Sequence, residues 1–549
     1  MTLEKLLGDP FDTANPFGFE QVIAADERAE LLAEGERLLA GWGFNEEFVP
    51  VSLGGRWSGM DDLGRRLRPV FRRDSALGLG YGVTSLMAAV NVWVAGDHGQ
   101  RRELSAGLRS GARAAVAFHE LDHGNDFMRN DFQAGYAEGG IILNGRKEVI
   151  NNVERAESLL VFARTGDKPG ARSHSLLLVG AEDLKKAQFL PRYRTGGVRG
   201  CRLGGVVFTD VVVDVDSFVG APGTGVETAL RAFQITRAVL PAMALGVLDS
   251  ALHVGYRFAA RRRLYGQYVI DLPHARDTFV GVFADLLIAD CLVTAVARGM
   301  QLAPRHSAAT TAAVKYLVPL VLEEAMGELA VIVGARSYLR EGPQAIFGKF
   351  LRDLPVLGLG HAGGTSCLLT IIPQLPALAR RAWQPADPRP ELFDVERPLP
   401  EFDFAGLSIA ASRDDLAASL LAAAQQVPAG EPVHALILGF VNEFDRLTRD
   451  CLALRPAECT PAAGTETFAL AERYAVLLAV AACVGTWLHS PQSPGTAWLH
   501  IALIRLAARL PMAAAVDLPE QETEVLFAEL ARRSEHNLSY CLDSAPVFG

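Results

Sequence analysis

Residues 113–222 interrupt a chain that otherwise follows helical spacing. Within them, short β-favouring runs (AAVAFHE, GIILNGRKEVI, SLLVFART, HSLLLVGA and GGVVFTDVVVDV) are separated by Gly, Asn and Asp, the pattern of strands closed by turns. Before them, ERAELLAEGERLLAGW and VTSLMAAVNVWVAGDHGQ bring apolar residues back at the spacing of one helix face. After them the helical period returns over residues 226–262, 274–303, 308–334 and 364–381, lengths that suit a bundle. A chain of 549 residues is too long for one core. The pattern predicts an α+β protein with an N-terminal helical domain (1–112), a middle antiparallel β domain (113–222), a C-terminal helical bundle (223–383), a linker (384–400) and an additional helical domain (401–549). The linker reading rests on QPADPRPELFDVERPLP, whose repeated prolines oppose both helix and central strand.

Composition narrows the function. Lys plus Arg total 53 against 63 Asp plus Glu, a formal charge of −10, so no nucleic-acid partner is expected. The seven cysteines include no CxxC pair, which points to neither a disulfide framework nor a metal site. The longest apolar candidate, residues 474–488, is shorter than the roughly 20 residues that span a bilayer. The N-terminal MTLEKLLGDPFDTANPFGFE has neither signal-peptide nor transit-peptide character. The expectations are no transmembrane segment and a cytoplasmic location. No GxGxxG follows a strand and opens a helix, so a Rossmann nucleotide site finds no support.

A succession of motifs gives the α-β-α order a sharper meaning. VPVSLGGRWSG (49–59), VAFHELDHGNDF (116–127), LNGRKEVINNVERAESLLVFART (143–165) and GVRGCRLGGVVFTDVVVDVDSFVG (197–220) are followed by AFQITRAVLPAMALG (232–246), RRRLYGQYVIDLP (261–273), VIVGARSYLRE (331–341) and RDLPVLGLGHAGGT (352–365). Over about residues 20–382 this order resembles the acyl-CoA dehydrogenase superfamily. That resemblance implies a four-helix bundle for residues 223–383, an FAD cofactor, and a homodimer or homotetramer. The segment beyond 401 lies outside the common family core.

Residue by residue, the resemblance assigns Glu120, Gly124, Asn125 and Asp126 to the loop over the flavin, with His119 and Asn125 in place of hydroxyl residues. Val149 and Asn151 stand where the family has a ring-packing Trp and a ring-bonding Thr. Arg262 and Tyr265 fall in the segment that reaches a neighbouring subunit's cofactor, where Arg262 suits pyrophosphate. Gly334 lies in the interrupted glycine segment. Arg237 takes the place of the arginine that supports substrate, preceded by Thr236, where some branches carry their base. Gly360-His361-Ala362-Gly363 occupies the place of the family's catalytic carboxylate, so His361 is the expected proton acceptor, a neutral imidazole having a pKa of about 6.5. The structural reading of His361, a packed or surface histidine, stays open beside it. The function implied is α,β-dehydrogenation of an acyl thioester on CoA or an acyl carrier protein. The alternatives are a flavin-dependent monooxygenase of the same fold, which has no use for the lost carboxylate, and a catalytically lapsed scaffold.

Overall fold

The β-favouring runs form β1 (Ala114–Ala117), β2 (Gln133–Ala137), β3 (Gly140–Asn151), β4 (Ser158–Arg164), β5 (His174–Gly180), β6 (Gln188–Leu190), β7 (Leu203–Val213) and β8 (Phe218–Val219). This is a computed structural model, and it describes residues 2–124, 126–166, 168, 170–360, 363–386, 389–423, 425–491, 493, 495–512 and 517–548. The strands lie in the order β6-β7-β3-β2-β4-β5-β8, with β1 beside β4. The sheet is mixed, which corrects the expectation of an antiparallel domain: β1 runs parallel to β4, and β2 meets β4 parallel at Gln133 and Arg164. The β2–β3 hairpin lies between β1 and β4 in sequence and reverses the chain before β4 begins. The remaining pairs are antiparallel.

β4 and β5 are buried along nearly their whole length, as expected of strands covered on both faces. Ile141, Leu159, Val161, Leu177, Val206 and Phe208 form the centre of this core. The sheet belongs to a compact unit made of Ala24–Ser58 and Ser75–Thr236. Its helix Thr84–Ala95 packs on β1. The helix His98–Arg109 opens on a capping box in which Asp97 accepts from the Gln100 N–H at 2.8 Å, and Gln100 Nε2 then donates to the carbonyls of Asp216 and Phe218.

The second unit comprises Met1–Ile23, Gly59–Asp74 and Arg237–Gly549. The boundary falls inside the helix Gly225–Ala259. That helix is followed by Pro273–Leu302 and Ala308–Val333, close to the expected spans. The 364–381 segment is divided into Gly364–Ile371 and Leu375–Arg381 by a 3₁₀ turn at Ile372–Gln374. A further helix, Ala345–Leu359, precedes it. β9 (Arg263–Leu264) and β10 (Gln267–Tyr268) form an exposed hairpin.

Residues 401–549 fall in this same unit. Their helix Thr465–His489 packs on Pro273–Leu302 and Ala308–Val333. It is 25 residues long and contains the apolar stretch that sequence limited to 474–488. By length and composition, five helical stretches among the described residues suffice to cross a membrane, and in four of them 72% to 100% of the apolar window is buried inside the protein.

The described part of residues 384–400 is a packed strap, which corrects the linker reading. Leu392 and Phe393 are buried, and the Phe393 ring stacks on His489 at 5.7 Å. The strap's missing regular hydrogen bonds are supplied by side chains: Arg298 donates to the carbonyls of Glu391 and Arg397, and Gln301 Nε2 to that of Pro400 at 2.6 Å. Such pairing is what a buried irregular backbone requires.

Candidate functional site

The loop that follows β1 is built around one carboxylate. Glu120 accepts from Lys147 Nζ at 2.7 Å, from the Asp131 N–H at 2.7 Å and from the Phe132 N–H at 3.2 Å. Lys147 also donates to the Phe118 carbonyl. Burial pushes the Glu120 carboxyl up, but the Lys147 charge and the three donors outweigh it and hold the carboxyl below its ordinary range. Burial lowers Lys147 to about 8 despite Glu120. Glu120, expected at the cofactor, thus commits its oxygens to closing the loop. Gly124, at φ +53 with open space beside it, and the exposed Asp126, paired with Arg129 at 3.3 Å, lie at the loop's tip. Asn125 lies outside the described residues.

The base of the loop is apolar. Phe118 stacks on Phe162 at 5.2 Å and meets Phe233 at 5.3 Å and Phe127 at 6.0 Å. His174 lies flat on Phe162 at 4.8 Å, and burial holds it neutral, at about 4. Beside these aromatics, His119 Nδ1 is buried without a hydrogen-bond partner.

β3 carries the second group of expected residues. Its pairing with β7 shifts register between Glu148 and Ile150, a bulge in which Val149 takes φ +56. A β-branched residue there is a strained outlier of the kind found at functional sites. Two residues on, Asn151 Nδ2 donates to the Leu79 carbonyl at 3.0 Å and to Thr84 Oγ1 at 2.8 Å. Asn152, at φ +60, donates to the Gly80 carbonyl. Both amides hold the π-helical turn Leu79–Val83, and both leave a buried Oδ1 without a partner.

The structure therefore brings Glu120, Gly124, Asp126, Val149 and Asn151 into one unit. The other expected residues belong to the helical unit. Tyr265 lies in the turn of the β9–β10 hairpin, 92% exposed at φ +52, and Arg262 immediately precedes the hairpin. Gly334, at φ +63, ends the Ala308–Val333 helix. His361 lies outside the described residues, two positions beyond the Ala345–Leu359 helix.

Arg237 is 3% exposed, and its Nε has no hydrogen-bond partner. Lys315 and Cys367, which sequence reasoning did not single out, are its electrostatic neighbours. Burial lowers Lys315 to about 8, and its Nζ donates to the carbonyls of Leu357 and Gly358. A lone lysine in AATTAAVKYLVPLVL was the signal that could have found it.

Two family models match the chain: the acyl-CoA dehydrogenase middle domain over residues 115–211 and the acyl-CoA dehydrogenase C-terminal domain over residues 223–373. The chain belongs to the acyl-CoA dehydrogenase superfamily. The mitochondrial isovaleryl-CoA dehydrogenase of Solanum tuberosum is 23% identical over 321 residues, covering 58% of this chain and 76% of its own. Among solved structures, the FAD complex of PigA aligns with a TM-score of 0.59 at 18% identity, over 66% of this chain and 97% of that one. The prolyl acyl carrier protein oxidase AnaB aligns with a TM-score of 0.59 at 18% identity, over 65% and 95%. The acyl-CoA dehydrogenase family models end at residue 373, ahead of the strap and the last helices.

Acyl-CoA dehydrogenase homologues are flavin-dependent oxidoreductases, so the residues present must be tested against FAD. The buried, unpartnered His119 Nδ1 and Asn151 Oδ1 are the hydrogen-bonding groups that a heteroaromatic ring bearing N–H and C=O would satisfy, and leaving them unmet is costly. The Arg262 side chain, exposed just before the β9–β10 hairpin of the helical unit, suits phosphate. His119 and Asn151, both in the β unit, fit the cofactor's ring.

Proposed function

We propose that this protein is an FAD-dependent oxidoreductase that oxidises the α,β-bond of an acyl thioester carried by coenzyme A or an acyl carrier protein. The observation that carries the reading is two buried groups without hydrogen-bond partners in one unit, His119 Nδ1 in the loop locked by the Glu120–Lys147 pair and Asn151 Oδ1 on β3. Bound FAD supplies the two-electron acceptor for the β-hydride. Asn151 and His119 orient the ring by hydrogen bonds. The phenylalanines around Phe118 exclude water from the loop's base, and Lys147 fixes the loop through Glu120.

In this reading His361 accepts the α-proton, as a neutral imidazole can near pH 7. Arg237 orients the substrate. The exposed Arg263–Tyr268 hairpin, with Arg262 before it, offers itself to a second copy of the chain in a homodimer or homotetramer.

One departure favours a second reading. A histidine stands where the family places its carboxylate, and a flavin-dependent monooxygenase of this fold needs no α-proton base. Anaerobic titration of the FAD-loaded protein with acyl thioesters separates the two. Bleaching of the visible flavin band, lost in His361→Ala, is the expected result. An unchanged band, with oxygen uptake on addition of externally reduced flavin, moves the assignment to oxygen chemistry. Absence of any flavin binding removes both.

A further inference from the structure

The β unit also holds a cavity to which no residue of the flavin loop contributes. It lies between the helix Ala33–Trp42, the turns that follow that helix and the end of the helix His98–Arg109, and its volume is about 540 Å³, a size at which small-molecule sites are found. Every residue that lines it belongs to this one unit. The buried Phe44 and Leu108 form part of its wall, and apolar walls around charges of one sign focus their field.

In a chain of net charge −10 this lining is basic, with five arginines against two carboxylates. Two of the arginines are neutralised locally: Arg56 pairs with Glu46 at 3.1 Å and Glu47 at 3.3 Å, and Arg37 pairs with Glu34. The other three are not. Arg113 and Arg155 converge on one oxygen of Glu36, at 3.2 Å and 2.6 Å. Arg109, exposed in the last turn of its helix, has no carboxylate partner among the described residues; its guanidinium lies over Gly54, where a Cβ would stand 2.9 Å from Nη1. The exposed Arg202 adds a fourth charge within electrostatic reach of Arg113. Burial, with repulsion from Arg155 and Arg202, loosens the hold of Arg113 on its proton against the pull of Glu36. In these ion pairs four guanidiniums share one carboxylate, an excess of three positive charges.

We propose that this cavity binds a diphosphate, either free pyrophosphate or the diphosphate group of a nucleotide. A single phosphate ester carries about −1.5 to −2 at pH 7, short of that excess, and two linked phosphates match it. Guanidinium forks meet phosphate oxygens with parallel N–H···O bonds, and Arg109, Arg113 and Arg155 bring three such forks to one cavity. The site uses no residue assigned above to the flavin or the thioester, so it is independent of that reading.

The test is calorimetric titration of the full-length, FAD-saturated protein with sodium pyrophosphate and, separately, with orthophosphate. Saturable one-to-one binding of pyrophosphate is expected, at least about tenfold tighter than that of orthophosphate. Arg109→Ala removes an exposed side chain without breaking an ion pair and should weaken pyrophosphate binding about tenfold, the worth of a charge-assisted hydrogen bond. Arg28→Ala, which removes an exposed arginine of the same unit outside the cavity, should leave it unchanged. No saturable heat at millimolar pyrophosphate would overturn the proposal. So would an equal loss in the two variants, which would show attraction to surface charge alone, and so would orthophosphate binding as tightly as pyrophosphate. ADP added in competition identifies the source: displacement of pyrophosphate assigns the diphosphate to a nucleotide, and no displacement assigns it to the free anion.

Discussion

At the scale of single residues, the β unit depends on a charge that the fold has taken out of water. Lys147 lies under the loop with its side chain fully covered, and Glu120 is the carboxylate that compensates it. Replacing Glu120 with Gln keeps the shape but removes the counter-charge of the buried ammonium and turns an amide NH2, which cannot accept, towards one of the donors that the carboxylate served. The expected cost is about 3–5 kcal/mol of unfolding free energy, measured by urea denaturation, with weaker retention of flavin as the loop loosens. A loss below about 1 kcal/mol would mean that Lys147 is compensated elsewhere. Glu120 and Lys147 both lie in motifs visible in sequence, but they are 27 positions apart. Their union is a property of the β1–β4–β2–β3 arrangement and not of either motif. The same holds for Val149. Its identity was plain in the sequence, but its left-handed backbone arises from the bulge that β3 makes against β7.

At the scale of elements, the strap shows how a sequence that opposes regular structure can still be fixed in place. Its prolines leave it a single 3₁₀ turn among the described residues, Pro390–Leu392, and Arg298 and Gln301 supply hydrogen bonds that longer regular structure would have provided. Phe393 fits against Gly485, where a Cβ would stand 2.2 Å from its ring. Gly485→Val should therefore displace the strap and cost about 1–3 kcal/mol by overpacking. The check is a thermal midpoint together with faster proteolysis between residues 384 and 400; an unchanged cleavage rate would mean that the ring is free to move aside. The long helices were legible because their apolar period runs uninterrupted. The 364–381 segment was not, because Pro373 sits among residues whose periodicity alone continues a helix, and it appears as a 3₁₀ turn.

At the scale of the whole molecule, the C-terminal segment is tied into the helical unit by buried polar groups. The N–H of Tyr540 donates to Asp249 and that of Leu542 to Asp290, while Arg72 donates to Ser539. His253 is bonded to the Leu538 carbonyl at 3.1 Å and packs on Tyr540 and Phe548. Burial, opposed by Asp249, lowers the His253 pKa to about 4. The unfolded histidine, with a pKa near 6.5, then takes up protons that the folded one refuses, so stability falls as pH drops from about 6.5 towards 4 and is level above that range. The thermal midpoint should follow this course, and His253→Phe should make it shallower, the buried His174 accounting for a remaining part; a wild-type midpoint that rises on acidification would contradict the assignment. The alternation of helical and β periods and the order of motifs were sufficient to recognise the family, because both are local patterns that survive divergence. Which side chains meet was not contained in them. The pairing of Glu120 with Lys147, the strap's place against Gly485 and the burial of Arg237 depend on which distant segments are brought to one point, and packing and desolvation set that only once the chain has folded.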